Sequence, residues 1–345
     1  MRAVFRVDAG GAIGLGNAYR ALSVAHALAE AALCSPDEVT FWLGYSAAAA
    51  SLIESAGFGV RLIGTFTHPA DEYATHARLL LEDQPELVLV DVPEVPDRAA
   101  DFYHSLRGAA TRLLVNLSDQ NSGRCAADVI VQGDVYHLSH DGERCARPRT
   151  LSGARCTLLN PSFARLAEQP APQRTHDLLI CFGGSDPAHM SARIVAMLET
   201  IHMRLSITLI IGRDAPHVDV PSGWAVYRDL PPSRIAELMR THRIGILSGG
   251  LMQYEAACLG LPCLIIAQNA GQFPASQAFD AAGVHRFLGS PETLSGDALI
   301  AALDDWLSDP TRLTARASLA QHLVDGRGCS RLVDVIREEF SCHNA

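Results

Sequence analysis

The sequence predicts two α/β domains, each a doubly wound parallel sheet, facing one another across a cleft. Three observations lead there. The chain has 345 residues, too many for one comfortable core and a good fit to two. Short, continuous apolar runs alternate with helical stretches in both halves, as parallel strands covered on both faces require. A strand–glycine loop–helix unit also opens the chain and recurs halfway along. Val4-Phe5-Arg6-Val7-Asp8 runs into Gly10-Gly11-Ala12-Ile13-Gly14-Leu15-Gly16-Asn17 and a helix carrying Arg20. Leu178-Leu179-Ile180-Cys181-Phe182 runs into Gly183-Gly184-Ser185-Asp186-Pro187 and another helix. Such units bring backbone N–H groups and a helix N-terminus to one place, where an anion can sit. That is the layout of an enzyme holding a nucleotide-linked substrate.

In the first half, strands are expected at Val39–Leu43, Val60–Ile63, Leu87–Asp91, Leu113–Leu117 and Asp128–Gln132, the last closing the series. Helices fall at Ser46–Ala56, Glu72–Leu81 and near Ala99–Leu106, and Tyr136–Pro148 is polar and irregular. Glu168-Gln169-Pro170-Ala171-Pro172-Gln173-Arg174 reads as the linker, with two prolines among polar residues. The domains are therefore expected at 1–167 and 175–345. Strands of the second half are expected near Leu178–Phe182, Ile207–Ile211, Ala225–Tyr227, Ile244–Leu247 and Cys263–Ala267, and a last helix at Leu332–Phe340. In sheets of this kind ligands gather at the carboxyl ends of the strands.

Composition narrows the function. With 28 basic against 38 acidic residues and a net charge of −10, there is no basic field for nucleic acid or an anionic membrane. The nine cysteines show no CxxC spacing and are expected as reduced thiols of a cytoplasmic protein. The apolar runs are too short to span a bilayer, and Met1-Arg2-Ala3 leads directly into a strand without a signal peptide. The 14 histidines form neither HxxxH nor HExxH, so no metal site and no cofactor is expected. No GxSxG elbow is present for a serine hydrolase.

The first glycine loop is not a dinucleotide fingerprint, because its third glycine would fall at Tyr19. Gly14 and Gly16 fit a phosphate-facing loop or a plain tight turn. Arg20, in the first turn of a helix, opposes the dipole and asks for an anion or a carboxylate, with Asp8 a candidate. Gly183 and Gly184 let backbone approach a phosphate, and Ser185 or Asp186 can cap the helix that follows. Ser248-Gly249-Gly250 follows a buried strand, with Glu255 about one turn into the next helix. A diphosphate resting on the Gly249 and Gly250 amides would leave Glu255 to accept both ribose hydroxyls; an ordinary solvated glutamate is the alternative.

Arg6-Val7-Asp8-Ala9, Gly14-Leu15-Gly16 with Arg20, Phe182-Gly183-Gly184-Ser185-Asp186-Pro187, and Gly250 with Glu255 and Leu259-Gly260-Leu261-Pro262 occur in this order. So does Leu151-Ser152-Gly153-Ala154-Arg155-Cys156-Thr157-Leu158-Leu159-Asn160-Pro161. Over nearly the whole chain this pattern resembles the PseG family, the UDP-2,4-diacetamido-2,4,6-trideoxy-β-L-altropyranose hydrolases of pseudaminic acid biosynthesis, and the related SpsG-type proteins. The resemblance implies the two-domain GT-B form of MurG-type glycosyltransferases, with UDP mainly on the C-terminal domain and Glu255 on the ribose. It implies Gly183, Gly184, the Gly249-Gly250 amides and Gln272 near the diphosphate and sugar. Two positions depart from the family. Its loop runs GxGHxxR, with the histidine as base, and here that position is Asn17, whose amide takes no proton at neutral pH. Its Asp-x-Tyr is replaced by Asp91-Val92-Pro93-Glu94.

Three functions fit this pattern. A hydrolase would release UDP from the sugar, with Asp8, Asp91 or Glu94 in place of the histidine. A GT-B glycosyltransferase would pass the sugar to another acceptor. A binding protein would hold the UDP-sugar without turnover, and a monomer suits a cleft that opens and closes. An asparagine at position 17 also reads as an N-cap.

Overall fold

The computed structural model describes the chain apart from residues 11–13, 45, 93–99, 118–121, 137–147, 200–203 and 343–345. It divides into two compact units, Met1–Pro161 with Arg327–Ala345, and Ser162–Gly326.

The first unit runs β1 (Ala3–Val7), α1 (Gly16–Glu30), β2 (Val39–Leu43), α2 (Ala47–Ser55), β3 (Gly59–Leu62), α3 (Pro69–Asp83), β4 (Leu87–Asp91), α4 (Ala100–Ser105), β5 (Leu113–Asn116), β6 (Val129–Gln132) and β7 (Arg149–Ser152). Its strands form one parallel sheet in the order β3-β2-β1-β4-β5-β6-β7. Alternate residues of each central strand serve opposite faces, which is why the runs are apolar throughout. Phe5 and Val7 of β1 pack with Leu87 and Leu89 of β4 in one core, beside α1 and α2. Val4 joins Trp42, Val88 and Val90 in the other, beneath α3 and α4.

The second unit continues with α5 (Pro161–Ala167), β8 (His176–Cys181), α6 (Met190–Glu199), β9 (Ile207–Ile211), β10 (Ala225–Arg228), α7 (Pro232–Thr241), β11 (His242–Ser248), α8 (Leu251–Cys258), β12 (Cys263–Ile266), α9 (Phe273–Ala281), β13 (Arg286–Phe287), α10 (Gly296–Leu307) and α11 (Pro310–Leu323). Its parallel sheet has the order β10-β9-β8-β11-β12-β13. That repeats the first unit's order through six strands. Each sheet reverses direction between its first and fourth strands, the β1/β4 and β8/β11 crevices, where doubly wound sheets take ligands.

Four expectations need correction. The last helix, α12 (Gly328–Cys342), returns to the first unit rather than ending the second. Its Leu332, Val333, Val335 and Ile336 enter the β1 core, and an amphipathic helix goes where its apolar stripe is buried. The proline-rich stretch expected as the linker lies inside the second unit. Arg240 donates to the carbonyls of Gln169 (3.1 Å) and Pro170 (2.5 Å). Arg174 donates to Met239 (2.9 Å), His242 (2.5 Å), Leu259 (3.0 Å) and Gly260 (2.7 Å), satisfying carbonyls at the ends of α7 and α8. The sequence expects neither β7 nor β13, since β7 is largely exposed and β13 has two residues. Finally, Cys125 is disulfide-bonded, so not all nine cysteines are thiols.

Candidate functional site at the carboxyl edges of the two sheets

In the first unit the loop after β1 is pinned at its base. Gly10 N–H donates to Gly14 O (2.6 Å), and Gly10 and Gly14 have φ of +94° and +77°. At Gly10 a Cβ would stand 2.1 Å from Ser46 Oγ, so only glycine fits. Helix α1 starts at Gly16, and its N-cap is Leu15, with no side-chain cap. Asn17 is therefore not the cap. Its Nδ2 donates to Asp8 O (3.0 Å), and its Oδ1 accepts from Arg20 Nη2 (2.9 Å). The amide is a brace between strand end and helix.

Arg20 finds its carboxylate, but on β4. Its Nε and Nη2 make a two-point contact with Asp91 at 2.7 Å each, and Asp91 is fully buried. Arg20 is committed to that pair, which argues against a phosphate contact. Asp8 pairs instead with Arg6, whose Nη1 lies 2.5 Å from Asp8 Oδ1 and whose Nη2 lies 2.6 Å from Glu72 Oε1. Burial works against the Arg6 charge, but the two carboxylates outweigh it and its pKa stands above the ordinary value. Asp8 keeps 18% of its side chain exposed. Glu94 lies outside the described residues. Glu72 was not foreseen: α3 begins at Pro69, earlier than expected, and no motif marks it.

In the second unit three loops meet at the β8/β11 crevice. Gly183 has φ +82°, and its N–H is directed at the Cys181 sulfur. Asp186, and not the exposed Ser185, caps α6: its carboxylate accepts from Met190 N (2.9 Å) and Ser191 N (2.8 Å). Gly212, at the end of β9, was missed. A Cβ there would stand 2.2 Å from Gly183 O and 2.3 Å from Gly184 O, so the loop passes over a residue without a side chain. Gly212→Ala is expected to cost more than about 2 kcal/mol, as overpacking against backbone does, and to weaken nucleotide binding. Thermal melts with and without UDP check this.

Ser248, buried, ends β11, and Gly249 follows. The Gly249 N–H is taken by Gln272 Oε1 (3.1 Å), which also accepts from Gln268 N (2.9 Å). That corrects the expectation that the Gly249 amide faces a diphosphate. Gln268, also unforeseen, ties the β12 loop to the β8 loop by donating to Phe182 O (2.8 Å). With Oε1 fixed by two N–H groups, the Gln272 Nε2 faces Gly250, 3.6 Å from where a Cβ would stand. No side chain caps α8, so its first turn is open to an outside acceptor.

Glu255, half-buried on α8, has its carboxyl pushed up to about 7 by burial, with no cation or donor among the described residues drawing it down. A solvated surface glutamate would not be so shifted. Among the described residues the free thiols are unsuited to chemistry: Cys34, Cys156, Cys181, Cys258, Cys263 and Cys329 are buried, and burial pushes Cys181 to about 12. Among the described residues no group of His, Cys, Asp or Glu could hold a metal ion, and no helix is long and apolar enough to cross a membrane.

Two doubly wound parallel-sheet units of matching strand order define the GT-B form. The resemblance to SpsG-type proteins also holds: the chain is 23% identical over 270 residues to the spore coat polysaccharide biosynthesis protein SpsG of Bacillus subtilis (strain 168), covering 74% of this chain and 77% of that one. No family model matches. Among solved structures, Acinetobacter baumannii MurG aligns with a TM-score of 0.64 at 13% identity, over 98% of this chain and 100% of that one. The Neisseria meningitidis UDP-GlcNAc 2-epimerase bound to UDP-GlcNAc aligns with a TM-score of 0.61 at 13% identity, over 97% and 100%. At these identities the structures speak for the fold alone.

Proposed function

We propose that this protein is a UDP-sugar hydrolase-like enzyme of pseudaminic-type nonulosonic acid or related surface-sugar biosynthesis, releasing UDP from a modified amino sugar in the cytoplasm. The observation that carries the reading is Glu255: a desolvated carboxylate without a partner among the described residues, beside the uncapped first turn of α8. A carboxylate so placed suits the two ribose hydroxyls, and the helix turn suits the diphosphate. Gln272 Nε2, Gly183, Gly184 and Gly250 complete the substrate contacts of the second unit. SpsG, by its name, belongs to spore coat polysaccharide biosynthesis.

For the proton acceptor we propose a carboxylate of the first unit. Asp91 is ill suited, being fully buried with both oxygens on Arg20, and Asn17 has no basic atom. Asp8, partly exposed at the β1 end, is the carboxylate that remains among the described residues. Asp8 takes the proton of the attacking water, oxygen bonds to the anomeric carbon, and the bond to UDP breaks. The α8 dipole and amides stabilise the departing diphosphate, a scheme that uses no metal or cofactor. Transfer to an acceptor hydroxyl is the second reading, favoured by the missing family histidine at position 17. Incubation with UDP-linked amino sugars, followed by NMR, tests both. Free sugar plus UDP supports hydrolysis, a glycosylated acceptor supports transfer, and no turnover of any substrate contradicts the enzyme reading.

A further inference from the structure

The Gly249–Gly250 turn is held by a buried side chain that the proposed nucleotide contacts leave unexplained. Gln253, in the first turn of α8, is fully buried. Its Nε2 donates to Gly249 O (2.5 Å), while its backbone N–H goes to Gly250 O (3.3 Å). The carbonyl partner settles which end of the amide is which, since only the NH₂ end can donate. Oε1 is then left inside the unit with no partner among the described residues. The backbone of Gln253 is anchored as well. Cys263 N donates to His285 Nδ1 (3.2 Å), so the ring carries its proton on Nε2, which donates to Gln253 O (2.9 Å). Burial holds the His285 pKa down at about 4, and the ring is neutral in ordinary buffers.

An unmet buried acceptor is a cost that an apolar side chain of similar shape, such as methionine, avoids. What the amide supplies in return is its hold on Gly249 O. A trans peptide is planar, with its C=O and N–H on opposite sides. The carbonyl of the Gly249–Gly250 peptide is drawn to the buried amide, so the Gly250 N–H points away from it. That N–H donates to no group among the described residues, whereas the Gly249 N–H is taken by Gln272. Gln272 Nε2 stands 3.6 Å from where a Gly250 Cβ would be, so a second donor lies close by. A peptide between two glycines turns over readily, and without a hold on its carbonyl it is free to present oxygen instead. We propose that Gln253 is a positioning residue: by holding Gly249 O it keeps the Gly250 N–H turned to the β8/β11 crevice, as a donor to the diphosphate. This inference rests on the nucleotide reading of that crevice.

The test uses the full chain labelled with ¹⁵N-glycine, with UDP as the probe. In wild type, UDP should shift the Gly250 amide resonance and slow its hydrogen exchange. The Gly249 amide, already bonded to Gln272, should change little. Gln253→Met removes both the donor and the unmet acceptor, so it should melt within a few degrees of wild type. It should bind UDP about tenfold more weakly, the scale for one hydrogen bond to a charged group, and its Gly250 amide should lose the response. A merely structural glutamine would lower the melting temperature and leave UDP affinity unchanged. Unchanged affinity in Gln253→Met, weaker affinity with the Gly250 response retained, or a wild-type Gly250 amide indifferent to bound UDP overturns the proposal. The last of these needs no variant and decides alone if Gln253→Met does not fold. A wild type that binds no UDP, or Glu255→Ala with wild-type affinity, sinks the nucleotide reading and this inference with it. Affinity lost in Glu255→Ala but kept in Gln253→Met sinks the inference only.

Discussion

Glu255→Ala should weaken UDP binding by about 1–3 kcal/mol, roughly 5- to 150-fold, the scale for losing hydrogen bonds to a charged group. The carboxyl titrates at about 7 because burial disfavours its charge, and a ribose contact of this kind needs the ionised form. Wild-type affinity should thus rise as pH increases through 7, and the ratio of wild-type to variant affinity should rise with it. Taking the ratio cancels the titration of UDP itself. Stability of the free protein carries the opposite sign. Between the ordinary 4.5 and about 7 the native state holds the proton and the unfolded state does not, so stability falls as pH rises. Glu255→Gln should remove that slope and be more stable than wild type above pH 7, by at most about 3 kcal/mol. Calorimetric titration at pH 6 and pH 8, with melts at the same values, checks both signs. Unchanged UDP affinity in Glu255→Ala removes this residue from the site.

Asp8→Asn should lower turnover about 10²- to 10⁴-fold, the usual worth of a general base, and leave UDP affinity within about twofold. The split follows from the proposed division of labour: Asp8 belongs to the first unit, while the proposed nucleotide contacts belong to the second. Asn17→His is expected to give no gain, because the side chain at 17 holds Asp8 O and Arg20 rather than an open position. Steady-state UDP release on a matched UDP-sugar, with UDP calorimetry alongside, separates the cases. A histidine variant with faster release would return the base to position 17 and demote Asp8 to a structural ion pair.

Most of the fold was legible because parallel strands announce themselves as apolar runs. β2, β4 and β9 were read to the residue, and the Gly183-Gly184 loop follows β8 where the sequence placed it. The misses share a cause. β7, β13 and the destination of α12 are decided by which edge or groove lies open in the assembled unit, and that information is not local. The site shows the same limit. Glu255 stands out in the sequence as a candidate because it follows Gly249-Gly250 by about a turn, and its burial is what the structure adds. The partner of Arg20 could not, because it depends on β4 lying beside β1. Gly212 and Gln268 are single residues of common type, and only the loops crossing them reveal their part. Asn17 was read as a departure from a family pattern, but what its amide holds became visible only with Asp8 and Arg20 in place.

A crystal structure of the chain with UDP bound tests the central claim most directly. The account predicts the ribose hydroxyls on the Glu255 carboxylate and the diphosphate at the first turn of α8, with Gln272 Nε2 within hydrogen-bond reach of the nucleotide. UDP bound away from the β8/β11 crevice, or seated there with Glu255 turned from the ribose, would contradict it.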